Sequence, residues 1–455
     1  MMNMRGLTAG SRGRRPGRGR AAAVTVAGAL ALGACDLGVN NPALIEDADL
    51  DRQEAITAVV TGVRGDFGVG IAGFGLGGVY IAGAILGDEL THVGSWAPPR
   101  AISEGNPGWT EPENQSHWGY ASRARWVAED AIRRIGELVE NPGSNPDIAM
   151  VTLHAGFANR LLGDNFCHAV INGGPLEDNS AFHERAVAFF SDAITVATAA
   201  GVDSLAVAAY AGRAQSYMML GNWPAAVADA QRVPTGFSFV QIHSENSSRE
   251  HNNVHNLTSR GDEGQQFSVW ATPFAEWGLE VNGNAASEGD PRAPYRIAYN
   301  AQGEPIAFAN LGSPPRPLWY SEKFTSRNAS MPIAKGTEMR LIEAEAALVG
   351  NNVSGAVDAI NLVRTHRGLS SVSAATADEA WELLQRERGL ELWLEGRRLA
   401  DLRRWQQTPG WVNTEVVRTA HDMRNVLDTP EPLCLKVSSN EIFSNTNISG
   451  SPYNN

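Results

Sequence analysis

The sequence predicts a mostly α-helical protein in which tetratricopeptide-like helical hairpins form one scaffold that carries long irregular loops. Three observations point there. Residues 51–63, 114–138, 148–162, 182–199 and 204–220 all carry apolar side chains at three and four spacing, the signature of a helix with one buried face. Between 205 and 233 the pattern becomes a hairpin. A small-residue helix (Ala206, Ala209, Ala214) breaks at Leu220-Gly221-Asn222, and Trp223-Pro224-Ala225-Ala226 opens a second helix, with proline where a missing N–H costs nothing. From about 235 to 327 the periodicity disappears among Asn, Ser, Gly and Pro; a stretch that long in a compact protein is usually functional or disordered, and its aromatics argue for ordered loops.

Taken in chain order, the first element is an export signal. Arg5, Arg12, Arg14, Arg15, Arg18 and Arg20 precede the apolar run 21–32 without any acid, a basic region followed by a short hydrophobic one. Leu32-Gly33-Ala34-Cys35 then places a cysteine directly after the expected cleavage point. We expect residues 1–34 to be a lipoprotein signal peptide, Cys35 to be lipidated, 35–50 to be a lipid-anchored tether, and 51–455 to be a single helical domain with a loop-rich region at about 235–330. Each buried CH₂ of an acyl chain contributes about 0.8 kcal/mol to membrane anchoring. Asp36 follows the cysteine, a residue that in some bacteria favours retention at the inner membrane.

Charge narrows the function classes. The chain has 37 basic and 50 acidic residues, net −13, and removing the six signal arginines moves this to −19. Such a surface repels phosphate backbones, so nucleic acid is an unsuitable partner. The stretch 68–87 runs 20 residues without lysine, arginine, aspartate or glutamate, eight of them glycine. It is long enough to span a bilayer, yet glycine adds little transfer energy, and a glycine-rich turn leading into a buried helix is the better reading. Its GxGxxG match at Gly73, Gly75 and Gly78 lacks the preceding strand that a dinucleotide site needs. Besides Cys35 only Cys167 and Cys434 remain. In an oxidising compartment these two could pair; two separately buried thiols are the alternative. No cofactor motif and no catalytic constellation is present, and His251 with His255 supplies too few ligands for a metal.

A second helical pair follows the loops: Met339, Ile342, Ala346 and Val349, then Val353, Ala356, Val357, Ile360 and Val363, broken at Gly350-Asn351-Asn352. Because the two pairs are far apart in sequence, a long regular solenoid is not expected. Residues 386–405 then read ER-x-x-EL-x-x-EG-x-R-x-x-DL-x-RW. Glu387, Glu391 and Glu395 stand at i, i+4 spacing, repulsive in isolation, so arginines such as Arg364, Arg388, Arg397 and Arg404, with Asp401, are expected to complete a structural ion network along the last long helix. A glycosidase pair made of Glu387 and Glu391 is the weaker reading, since arginines lie within helix reach of every acid.

The C-terminal motif, with Arg340-Leu341-Ile342-Glu343-Ala344-Glu345-Ala346 and Ile360-Asn361-Leu362-Val363-Arg364 before it, resembles the SusD/RagB family of nutrient-binding outer-membrane lipoproteins. Asn40-Asn41-Pro42, Asp290-Pro291-Arg292 and the closing Ser439-Asn440-Glu441-Ile442-Phe443-Ser444-Asn445 extend the resemblance. It implies a lipid-anchored protein of the outer membrane that binds an oligosaccharide or peptide, is not an enzyme, and caps a SusC-like TonB-dependent transporter. Few landmarks appear between Thr235 and Ala285, where ligand identity would be decided, so glycan and peptide both stay open. A tetratricopeptide-type envelope scaffold is the alternative function.

Tryptophans supply the candidate ligand residues. Trp126, Trp223, Trp381, Trp393 and Trp405 lie at helical spacing and are expected in the core. Trp96, Trp109, Trp270, Trp277 and Trp319, with Tyr295 and Tyr320, sit among Pro, Gly and Ser, where a flat ring can stack on the apolar face of a pyranose.

Overall fold

The computed structural model describes residues 46–73, 78–103, 108, 110, 112–259, 267–282, 289–310, 313–408, 433–450 and 453. The expected signal segment, Cys35, Asn40-Asn41-Pro42 and Trp109 lie outside them. Two compact units divide the chain, Met1–Asp49 and Leu50–Asn455; the first is described only from Glu46, where a 3-10 turn begins at Asp47.

The second unit begins with α1 (Ile56–Ala72), which Gly73 ends at φ 81°, donating its N–H to the Val69 carbonyl. Its second half, from Asp66 to Ala72, is buried, and every residue of α2 (Val79–Leu86) is buried too. The glycine-rich stretch 68–87 is therefore divided between two helices in the core. Among the described residues, one helical stretch, Gln53–Ala72, is long and apolar enough to cross a membrane by composition.

After β1 (Thr91–His92) and α3 (Ala97–Ser103) come the helices α4 (Pro112–Leu138), α5 (Pro146–Asn165), α6 (Ser180–Ala199), α7 (Asp203–Met219) and α8 (Trp223–Ala230), with the short paired strands β2 (His168–Val170) and β3 (Leu176–Asp178) between α5 and α6. Consecutive helices of this series pack against each other. Local sequence sets their starts. The Asn145 side chain accepts from the N–H groups of Asp147 and Ile148, with Pro146 at the first helical position, and Asn222 caps α8 in the same way. Such caps satisfy N–H groups that a helix start leaves open. Close approach comes from glycine: a Cβ at Gly156 or Gly212 would stand 2.6 or 2.3 Å from the Phe190 ring, which α6 inserts between α5 and α7.

Residues 231–335 leave this stack and return to it. They enter through β4 (Ser238–Gln241) and exit through β11 (Met331–Lys335), which pair antiparallel with Met331 opposite Gln241 and Lys335 opposite Ser238. Between these strands lie α9 (Asn253–Thr258), β5 (Phe267–Ser268), α10 (Phe274–Trp277), β6 (Gly278–Glu280), β7 (Asp290–Ile297), β8 (Ala307–Asn310), β9 (Ser313–Pro317) and β10 (Trp319–Ser321). The expected irregular loops thus contain short strands, too brief for a period-two pattern to stand out. The second hairpin, α11 (Gly336–Val349) and α12 (Val353–His366), packs directly on α8. Two pairs separated in sequence are therefore adjacent in space, because the excursion is closed at its base.

The last elements are α13 (Ala377–Glu391), opened by a capping box between Thr376 and Glu379, α14 (Arg398–Gln407) and α15 (Ser439–Ser444). The acidic motif does not run along one long helix as the sequence suggested. The helix stops after Glu391 and turns through Leu394 (φ 56°) and Gly396 (φ 71°) before α14 begins. At Gly396 a side chain would meet the Tyr80 ring.

Candidate functional site

One serine organises the aromatic face. β1 pairs with β5, Thr91 opposite Ser268 and His92 opposite Phe267. The Ser268 hydroxyl accepts the N–H groups of Trp270 (3.1 Å) and Trp319 (2.9 Å) and donates to the Pro317 carbonyl (2.9 Å). Thr91 Oγ1 donates to the Trp270 carbonyl at 2.7 Å. β10 pairs antiparallel with β7, and the Tyr295 and Trp319 rings stack at 5.5 Å with 4° between their planes. Trp270 and Trp319 are half-buried, and Trp96, on the turn after β1, is 42% exposed.

Three sequence candidates are corrected. Trp277, Tyr295 and Tyr320 are buried and offer no free ring face. Trp277 belongs to the one-turn helix α10, where it packs edge-on against Phe274 beside Gly389 of α13. Tyr295 spends its hydroxyl on the Ala275 carbonyl at 2.9 Å, and the Arg296 guanidinium lies 4.1 Å over the Tyr320 ring. The loops wrap back on the scaffold, so absence of helical periodicity did not mean exposure. Conversely Trp126, expected in the core, is 55% exposed on α4, whereas Trp381, Trp393 and Trp405 are buried.

The C-terminal motif forms a buried ion network. Glu387 accepts from Arg364 and from Arg292 (2.7 Å), and Arg292 also grips Asp290 at 2.8 Å. Glu391 is held by Arg367 (2.6 Å), Lys335 (3.2 Å) and the Thr337 hydroxyl (2.7 Å). Glu395 is held by Lys335 (2.9 Å) and Lys323 (3.0 Å). Arg388 and Arg404 share Asp401, Arg404 also bonds Glu345 at 2.7 Å, and Arg397 meets Glu338 at 3.0 Å. Most compensating cations thus come from other elements, not from the same helix as the spacing suggested. Arg292, Lys323, Lys335, Arg367, Glu338 and Glu345 were missed because tertiary packing, which a single-helix reading does not see, brings them in. Burial raises the Glu391 carboxyl, but Lys335 and Arg367 overcome this and hold it well below the usual carboxylate range.

Glu89 behaves oppositely. Fully buried, it accepts the Leu394 N–H at 2.6 Å, and burial pushes its carboxyl up to about 8. The folded state therefore holds a proton that the unfolded chain releases above about 4.5. Stability from this group is present at pH 5 and declines as pH rises to about 8. Glu89→Gln, which keeps the acceptor, is expected to gain about 2 to 4 kcal/mol over wild type between pH 5 and pH 8, on the scale of about 1.4 kcal/mol per pKa unit. Denaturant titrations of both proteins at the two pH values check it. Equal pH slopes would show that Glu89 is ionised in the fold.

Cys167 and Cys434 are joined by a disulfide, S–S 2.15 Å, across 267 positions. Main-chain bonds flank it: Cys167 N–H donates to the Leu435 carbonyl (2.8 Å) and Leu435 N–H to the Asn165 carbonyl (2.7 Å).

Residues 246–436 match the model of the SusD family. Among solved structures the chain is similar to a SusD superfamily protein from Bacteroides vulgatus (15% identity, 87% of this chain and 98% of that one, TM-score 0.64). It is similar also to a SusD-like protein from Bacteroides fragilis (13%, 89% and 98%, 0.64) and to a SusD-like carbohydrate binding protein from the same species (15%, 82% and 92%, 0.59). No curated protein matches the sequence. The family match spans most of the loop region and the whole ion network, and the neighbours share the helical scaffold over most of its length, so the fold is that of SusD-like proteins.

Proposed function

We propose that this protein captures a glycan and delivers it to a SusC-like TonB-dependent transporter, held at the outer membrane by a lipid on Cys35 after removal of residues 1–34. Residues 35–50 act as a tether for one ligand-binding domain, 51–455. The observation that carries the reading is the pair Trp270, just after β5, and Trp319, on β10, both fixed by the Ser268 hydroxyl, with exposed Trp96 on the turn after β1. Rigid indoles lose little entropy on stacking against a sugar ring. A structural neighbour described as a carbohydrate binding protein supports the same ligand class. The acids support binding rather than turnover: Glu387 and Glu391, the pair that could resemble a glycosidase, are each held by two cations.

On a glycan array, Trp96→Ala with Trp319→Ala is expected to weaken the best hit by about 1 to 3 kcal/mol. Trp96→Ala alone should melt like wild type. If the folded double variant keeps every hit at wild-type affinity, the aromatic face is not the site. Cys35→Ser is expected to move the protein from the membrane fraction to the soluble one, checked by fractionation and by the mass of the mature N-terminus.

The scaffold reading draws on a groove of about 690 Å³ between α8, α11 and α12, lined by Val227, Ala346 and Leu362. It predicts that Leu362→Glu abolishes partner association while glycan binding is absent from the start.

A further inference from the structure

A cleft of about 630 Å³ opens between β4, β11, the segment 323–325 after β10 and the end of α12. Its volume is that of a small-molecule site, and beside the apolar Phe237, Phe324, Pro332 and Leu369 it is lined by Arg292, Lys323, Lys335 and Arg367 against Glu391 and Glu395. The charges are ordered by depth. The side chains of Glu391 and Glu395 are 0% and 3% exposed, Lys335 is 7%, Lys323 17% and Arg367 38%, and His366 stands exposed at the rim. The acids form a floor that the cations cover, so an entering molecule meets positive charge first.

The balance favours an anion as well. Counting Arg364 with its partners, five cations (Arg292, Lys323, Lys335, Arg364, Arg367) face four acids (Asp290, Glu387, Glu391, Glu395), one surplus positive charge in a chain of net −13. Lys335 spends its ammonium on the Glu391 carbonyl (2.6 Å) and on the Glu391 and Glu395 carboxylates, whereas the Lys323 ammonium, with three donors, has among the described residues only Glu395 as a partner. Thr235, Ser238 and Ser330 add side-chain hydroxyls to the wall, suited to a ligand that itself carries hydroxyls.

We propose that this cleft is a second binding site, separate from the aromatic face, for a small hydroxylated monocarboxylate of the sugar-acid class. The single surplus charge matches one carboxylate rather than a phosphate dianion, and the volume and hydroxyl lining match one sugar ring. The site goes beyond the proposed glycan capture and does not rest on it, since it shares no residue with the three tryptophans.

Calorimetric titration of the purified chain with glucuronate, glucose and inorganic phosphate tests it. Glucuronate is expected to bind at least tenfold more tightly than glucose or phosphate and to weaken as salt rises, because salt screens partly exposed charges. Lys323→Gln and Arg367→Gln should each lower its affinity fivefold or more. Arg367→Gln also unpairs part of Glu391, so affinity is measured on folded protein, and Lys323→Gln, whose partner Glu395 keeps Lys335, decides if the other variant does not fold. Glucuronate binding no tighter than glucose or phosphate, or unchanged in folded Lys323→Gln, overturns the proposal.

Discussion

Arg397→Ala is expected to lower stability by about 3 to 5 kcal/mol, the range for breaking a buried ion pair from one side, while glycan affinity of the folded fraction stays at the wild-type value. Arg397 is buried and its guanidinium serves three acceptors: Glu338 at 3.0 Å, the Glu395 carbonyl at 3.1 Å and the Ile333 carbonyl. Glu338, only 1% exposed, keeps Gln215 at 2.6 Å but loses its counter-charge. The penalty is therefore the stranded carboxylate more than the lost contact. Removing both partners, Arg397→Met with Glu338→Leu, should cost less than Arg397→Ala alone. Denaturant unfolding measures all three proteins. A variant that unfolds like wild type yet no longer binds would place this network in the ligand site.

The second large effect concerns the disulfide. Cys167→Ser with Cys434→Ser is expected to destabilise by about 3 to 5 kcal/mol, since a bond closing so long a loop restricts the unfolded chain most. The folded contacts around it should persist: the main-chain bonds of Cys167 and Leu435 remain, and the Tyr453 hydroxyl still accepts the Val437 N–H at 3.0 Å and lies 3.0 Å from His168 Nδ1. Oxidised and reduced wild type should differ in denaturant midpoint by the same margin as wild type and the double variant. Identical midpoints would mean that the unfolded chain is already compact between the two cysteines.

The scaffold was legible because its signals are local. Five helices of the first stack and the pair α11–α12 follow from three and four spacing, and the starts of α5, α8 and α12 from Asn145, Asn222 and Asn352, side chains that cap within three residues. The site was legible only in part. Trp96, Trp270 and Trp319 retain exposure, but Trp277 and Tyr295 do not, and nothing near them in sequence announces that α10 and β7 fold back onto the scaffold. The break after Glu391 was hidden for a related reason. Glu395 continues the i, i+4 rhythm, while Leu394 adopts a left-handed backbone that its residue type does not signal. Long-range partners decided each of these outcomes: Arg292 for Glu387, Lys335 for Glu395, Glu89 for Leu394.

The bond between Cys167 and Cys434 turns most of the chain into a covalent ring, from which the earlier residues and the last segment hang as tails. A protease that cuts once inside the ring opens it without releasing anything. Both pieces stay attached, and the nicked molecule migrates as one species until it is reduced. A loop between β4 and β11 can therefore be clipped once without detaching α11 to α14 from the helices that precede Cys167, and a single cut sheds material only when it falls outside the ring. Ageing of this protein would read on a gel as a difference between reduced and unreduced lanes before it read as lost mass.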